Sequence, residues 1–149
     1  MILTSDNLLL TVNYFMHKNE IPYSRILIID DSEVDFFIVH SMLKRHKPSL
    51  SLYYAMDVDS ALNMLKAFNP EQIPDLIILD MHFERQDKQG LDFLREFKTF
   101  QQARDHEIKI MALTAFAGFI DVKTFARDFA QTPMLKKPFS VENLIAAGE

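Results

Sequence analysis

Three aspartates stand directly behind two short apolar runs: Ile26-Leu27-Ile28-Ile29 leads into Asp30-Asp31, and Leu76-Ile77-Ile78-Leu79 leads into Asp80. Carboxylates gathered in one place repel and raise one another's pKa values unless a cation neutralises them. An oxygen-only cluster suits a hard ion, and Mg2+ is the natural occupant of a site built from a few carboxylates, a carbonyl and waters. Two more groups follow later runs, Thr114 after Ile110-Met111-Ala112-Leu113 and Lys137 after Met134-Leu135-Lys136. Taken singly, each has an ordinary explanation: Asp31 or Thr114 as a helix cap, Lys137 as a solvated surface charge. They make a site only if the fold brings them to one edge.

The elements that must do so are legible from periodicity. The runs before the acids are too short for helices and rich in β-branched residues, which predicts strands buried on both faces. Ser32-Glu33-Val34-Asp35 has capping-box spacing and opens a helix with Val34, Phe37, Ile38 and Met42 on one face, stopped by Pro48. A strand over residues 50–56 precedes Asp57, which caps a helix carrying Val58, Ala61, Leu62, Leu65 and Phe68 up to Asn69-Pro70. After the third strand a helix begins near Gly90 with Leu91, Leu94, Phe97 and Phe100. Residues 108–113 form the fourth strand, 119–130 the fourth helix and 134–136 a fifth strand, and Ser140 caps a final helix with Val141, Leu144 and Ile145.

Five strand-helix units joined by helix-length crossovers predict a doubly wound α/β fold, a parallel sheet with helices on both faces. In the strand order 2-1-3-4-5, ligands bind beyond the carboxyl ends of the strands, between strands 1 and 3. Asp30-Asp31 and Asp80 fall there, with Thr114 and Lys137 closing the rim. Residues 1–23 stand apart as an arm or short helix. Leu8, Val12, Phe15 and Met16 recur at helical spacing, Ser5 or Asp6 could cap, and Pro22 closes the segment. Its apolar side either covers a patch of the domain or meets a partner or second copy.

Composition narrows the class. A chain of 149 residues is the size of one domain, and 48% apolar with 25% charged residues excludes a disordered, collagen-like or coiled-coil chain. The absence of cysteine excludes disulfides, thiolate metal sites and cysteine nucleophiles, and predicts a cytoplasmic protein. A net charge of -5 without a basic run argues against direct nucleic-acid binding. No apolar stretch is long enough to span a membrane, and the start of the chain lacks signal-peptide features. His17, His40, His46, His82 and His106 are scattered, with no pair at metal-ligand spacing.

Ile29-Asp30-Asp31, Leu79-Asp80-Met81, Leu113-Thr114-Ala115 and Lys136-Lys137-Pro138-Phe139 together resemble the signature of response-regulator receiver domains of the chemotaxis-regulator type, over residues 24–149. The resemblance implies a flavodoxin-like three-layer fold and a phospho-accepting Asp80. Mg2+ would be bound directly by Asp31 and Asp80, mainly through water by Asp30, and by the backbone carbonyl of His82. Thr114 would hydrogen-bond the incoming phosphoryl group, Lys137 would pair with its oxygens, and the Lys137-Pro138 bond would be cis. The implied partner is a sensor histidine kinase or a histidine phosphotransfer protein. The implied output is a phosphorylation switch acting on protein partners through the face of the fourth helix, fifth strand and final helix, with self-catalysed phosphorylation and dephosphorylation and homodimerisation left open.

The chemistry is consistent with these residue types. A carboxylate can attack phosphorus to give an aspartyl phosphate when anion repulsion is offset, and a divalent ion with one ammonium matches the charge of three carboxylates. The chain departs from the family pattern in three places. The stretch from Asp80 to Gly90 is long and lacks an early proline, Met134 stands where an aromatic or histidine switch residue is usual, and Ala130-Gln131-Thr132-Pro133 replaces a glycine-bearing turn. Met134 or Phe116 would have to fill the gap that Thr114 leaves on moving. These departures leave open a degenerate receiver that acts as a phosphorylation-independent interaction module. An aspartyl-nucleophile phosphohydrolase needs a second acid where His82 stands, and an FMN binder needs a Ser/Thr/Gly loop where Asp30-Asp31-Ser32-Glu33 would repel a phosphate.

Overall fold

The structure is a computed structural model, and it describes residues 4–84, 86–102, 107–115, 127 and 129–149. Strands β1 (Arg25–Ile29), β2 (Ser51–Ala55), β3 (Leu76–Asp80), β4 (Lys109–Thr114) and β5 (Met134–Lys136) form one sheet in the order β2-β1-β3-β4-β5. Every pairing is parallel, with Ile29 opposite Leu79, Asp80 opposite Leu113 and Thr114 opposite Lys136. The expected topology holds. Asp80 and Thr114 are the last residues of their strands rather than the first residues beyond them, so the sheet ladder itself fixes their backbones.

Five helices are described: α1 (Ser5–Lys18), α2 (Glu33–His46), α3 (Val58–Ala67), α4 (Gly90–Gln102) and α5 (Val141–Ala147). The helix expected over 119–130 falls almost wholly outside the described residues. Successive side chains of a strand point to opposite faces, and the two cores follow that alternation. Leu27, Ile29, Ile77 and Leu79 meet α3 and α4 through Ala61, Leu65, Phe93 and Phe97. Ile26, Ile28 and Ile78 meet α2 and α5 through Val39, Leu43, Val141 and Leu144, and Ile21 and Tyr23 join them just before β1. Ser32, Asp57 and Ser140 each cap a helix by accepting a backbone N–H three residues on.

The apolar face read for α2 is corrected. Val34, Phe37 and Ile38 are exposed, and the helix packs through Phe36, Val39 and Leu43, with Met42 at the margin. Its sequence carries two overlapping helical registers, and periodicity alone does not rank them. The side chains of α1 described over residues 4–13 are likewise exposed, so Leu8 and Val12 cover no patch of their own domain.

The long stretch between Asp80 and Gly90 is held by one amide. Gln89 accepts from the Phe83 N–H at 2.7 Å and donates to the Phe83 carbonyl at 3.0 Å, which drives the Phe83 ring into the core. Gly90 then passes so close to β3 that a Cβ there would lie 2.7 Å from Met81 Cα and 2.8 Å from the Asp80 carbonyl oxygen. Gly90→Ala must therefore displace backbone beside Asp80. The expected loss is about 1–3 kcal/mol, measured by urea denaturation, and an unchanged midpoint would contradict it.

Candidate functional site

At the carboxyl edge of the sheet β1 delivers Asp30 and Asp31 and β3 delivers Asp80, and one carboxylate oxygen of each lies within 4.8 Å of the others. Asp30 and Asp80 are buried. Backbone amides orient both: Ser32 N–H donates to Asp30 Oδ1 at 2.9 Å, and His82 N–H donates to Asp80 Oδ1 at 3.2 Å. Lys137, carried in from β5 ahead of a cis Lys137–Pro138 bond, donates to Asp30 Oδ2 at 2.9 Å and to Asp35 Oδ2 at 3.0 Å, and its Nζ lies 3.4 Å from Asp80 Oδ2. One ammonium is shared by three acids.

The electrostatics follow from that geometry. Burial, and after it the charge of Asp30, push the Asp80 carboxyl up to about 6, against the opposing effects of Lys137 and the His82 amide. Burial raises Asp31 too, helped by the charges of Asp30 and Glu84 and resisted by backbone hydrogen bonds from Glu84 and from its own amide. For Lys137 burial works against the charge, but the hydrogen bond to Asp30 and the attraction of Asp80 and Asp30 outweigh it and hold the ammonium above its ordinary value. The cluster is short of positive charge, and its donors are all oxygens. Both properties fit a hard divalent cation.

A cavity of about 470 Å3 opens onto the cluster, lined by Asp31, Asp35, Asp80, His82, Glu84 and Lys137, with Ser32 and Ala115 at its margin. Asp30 and Thr114 sit behind this wall, both buried. All six residues read from the sequence thus converge on one edge, four of them facing the cavity. Sequence reasoning missed Asp35 and Glu84. Asp35 occupies the third position after the Ser32 cap and was legible only as a capping residue, although an acid one helical turn past Asp31 points back over the strand ends. Glu84 lies in the long stretch after Asp80, whose path only the Gln89 closure defines.

A family profile described as response regulator receiver domain matches residues 26–149. Among solved structures, the bacteriophytochrome response regulator AtBRR superposes with a TM-score of 0.66 at 21% identity, over 83% of this chain and 89% of that one. The chemotaxis protein CheY4 of Vibrio cholerae gives 0.63 at 23% identity, over 83% and 93%. A response regulator receiver protein of Dyadobacter fermentans gives 0.67 at 21% identity, over 82% and 92%. At such identities the likeness speaks for the fold. No curated protein matches the chain.

Proposed function

Because the chain belongs to the response regulator receiver domain family, we propose that Asp80 is its phosphoacceptor, working with Mg2+ held by Asp30, Asp31, Asp80 and the backbone carbonyl of His82. Receiver domains are the phosphorylated switches of two-component signalling, generally bind Mg2+ in an acidic pocket and are generally not classed as enzymes. The observation that supports this assignment is the position of Asp80: a buried carboxylate that opens onto the cavity, beside the acids on one side and within 3.4 Å of Lys137 on the other.

The donor is a phosphohistidine on a sensor kinase or a histidine phosphotransfer protein. An Asp80 oxygen forms its bond to phosphorus as the donor's P–N bond breaks, and the electron pair of that bond returns to the imidazole. Bound Mg2+ would supply neutralising charge to the group in transit. Lys137 pairs with the phosphoryl oxygens, and to do so gives up contacts with Asp30 and Asp35. Thr114, at the end of β4, donates its hydroxyl to the same group, a charge-assisted bond that draws it toward Asp80. Water can later attack the aspartyl phosphate at the open cavity, so the state is temporary. The output face is the region of 119–130 with β5 and α5. Met134 at the start of β5 takes the usual aromatic position and Phe116 lies outside the described residues. Met134 is 41% exposed, a flexible side chain that marks the two states less sharply than a ring, which keeps a phosphorylation-independent docking module as the second reading.

Incubation with acetyl phosphate or beryllofluoride, with and without Mg2+, separates the two readings: Mg2+-dependent uptake at Asp80 is expected, and its absence favours the docking module. Amide shifts between Thr114 and Phe139 are expected on beryllofluoride binding, and shifts confined to the surroundings of Asp31 and Asp80 would refute this output route. Asp31→Asn removes a direct ligand from a site with very few. Its Mg2+ affinity should fall by at least about tenfold, in line with the loss of one charge-assisted contact, as read by titration calorimetry. Unchanged affinity would place the ion elsewhere.

A further inference from the structure

Two helix faces are left apolar and bare. On α1, Leu8, Leu9, Leu10 and Val12 are 53%, 61%, 68% and 44% exposed, and on α2, Val34, Phe37 and Ile38 are 69%, 68% and 57% exposed. Single exposed leucines mean little, but Leu8, Leu9 and Val12 fall within about 100° of one another around α1, as do Val34, Phe37 and Ile38 around α2, and such clusters mark interaction surfaces. The α2 face runs on into a groove of about 530 Å3 bordered by Phe37, Ile38, Met42 and Val141. Both helices have 14 residues, or about 21 Å, so each is long enough to cover the other.

The connection between them decides how they could meet. Asn19, just past α1, is fixed at the C-terminal end of α2, its carbonyl oxygen 2.7 Å from His46 Nε2, and Lys47 Nζ donates to the carbonyls of Ile21 and Tyr23 at 3.1 and 2.6 Å. The C-terminus of α1 therefore starts at the C-terminus of α2. Folded onto α2 of its own molecule, α1 would run parallel to it. Asp6 would then approach Glu33 and Asp35, and the helix dipoles would align side by side. Every one of those juxtapositions is repulsive. A second copy carries no such tether, and its α1 can lie antiparallel. Asp6 then meets Lys44 and Arg45, and the dipoles oppose.

We propose that two copies of this chain exchange their N-terminal helices, each α1 lying antiparallel across the exposed α2 face of the other. The arrangement is self-complementary about a twofold axis, so the two helix pairs form together and the assembly closes at two. It covers Leu8, Leu9 and Val12 of one copy with Val34, Phe37 and Ile38 of the other and leaves the cavity at Asp80 to each protomer's own residues.

The test is sedimentation equilibrium of the full chain. The natural chain should give a mass near twice 17.3 kDa, with dimerisation weakened by salt. Leu9→Glu and Phe37→Glu lie on exposed positions and leave the cores intact, as circular dichroism should verify. Each should weaken the dimer about tenfold or more. An equimolar mixture of the two should associate more tightly than either variant alone, because one of the two exchanged pairs is then intact in the mixed dimer. A monomeric natural chain at high micromolar concentration would overturn the proposal. So would a Phe37→Glu chain that dimerises normally, which means pairing of α1 with α1, or a Leu9→Glu chain that does, which means pairing of α2 with α2. A mixture no tighter than its components would overturn it as well.

Discussion

Asp80→Asn is expected to take up no phosphoryl group and yet, in EDTA at neutral pH, to unfold at a higher temperature than the natural chain. The two effects have one cause. The folded protein holds the Asp80 carboxyl at about 6 against 3.8 for the free group, chiefly through burial and the charge of Asp30. Between those values the native state binds the proton that the unfolded chain has released, so stability falls as pH rises through the window, and the cost is fully present above it. Two pKa units set an upper limit of about 3 kcal/mol. Asparagine bears no such charge. Its advantage should be largest above pH 6 and vanish once the pH falls below the ordinary aspartate range. Thermal melts at several pH values, with acid-labile phosphate assayed in parallel, check both halves. Phosphate still incorporated in the variant would remove Asp80 as acceptor, and equal melting temperatures at neutral pH would contradict the electrostatic account.

Lys137→Ala should have the opposite effect on stability. Its ammonium is shared by Asp30, Asp35 and Asp80, and its side chain is 19% exposed while those of Asp30 and Asp80 are 3% and 7% exposed. Removing one partner of a buried ion cluster leaves uncompensated charge, a loss of about 3–5 kcal/mol. Mg2+ held by the assembled carboxylates, as proposed, should restore part of that stability by mass action. Phosphoryl uptake should drop sharply because the transferred oxygens lose their ammonium partner. Urea unfolding in EDTA and in Mg2+ measures the first two effects. A midpoint in EDTA equal to that of the natural chain would show that the lysine does not neutralise the cluster.

The sheet and the site's main residues were legible because the signals were local and redundant. The two central strands β1 and β3 are short isoleucine-rich runs, and the three aspartates abut their ends. What could not be read depended on contacts distant in sequence. For α2 the choice between the Val34-Phe37-Ile38 and Phe36-Val39-Leu43 registers is made by the sheet beneath it, and no pattern within the helix encodes that choice. Asp35 looked like a cap because its role depends on Lys137, which arrives from another strand. The path after Asp80 rests on Gln89 reaching back to Phe83, a side-chain closure that turn propensities do not describe.

The ion pair between Lys137 and Asp30 spans 107 positions of sequence, and this bears on the order of assembly. Contacts so distant form late, after the loop-closure entropy of the intervening chain has been met. Pairing of β1 with β3 alone sets Asp30 and Asp80 side by side with no ammonium between them, so a half-built sheet carries the repulsion without the remedy. Only the arrival of β5 supplies the missing charge. The carboxylate cluster thus discourages partly folded forms of its own domain and makes the C-terminal strand a condition for the completion of the rest.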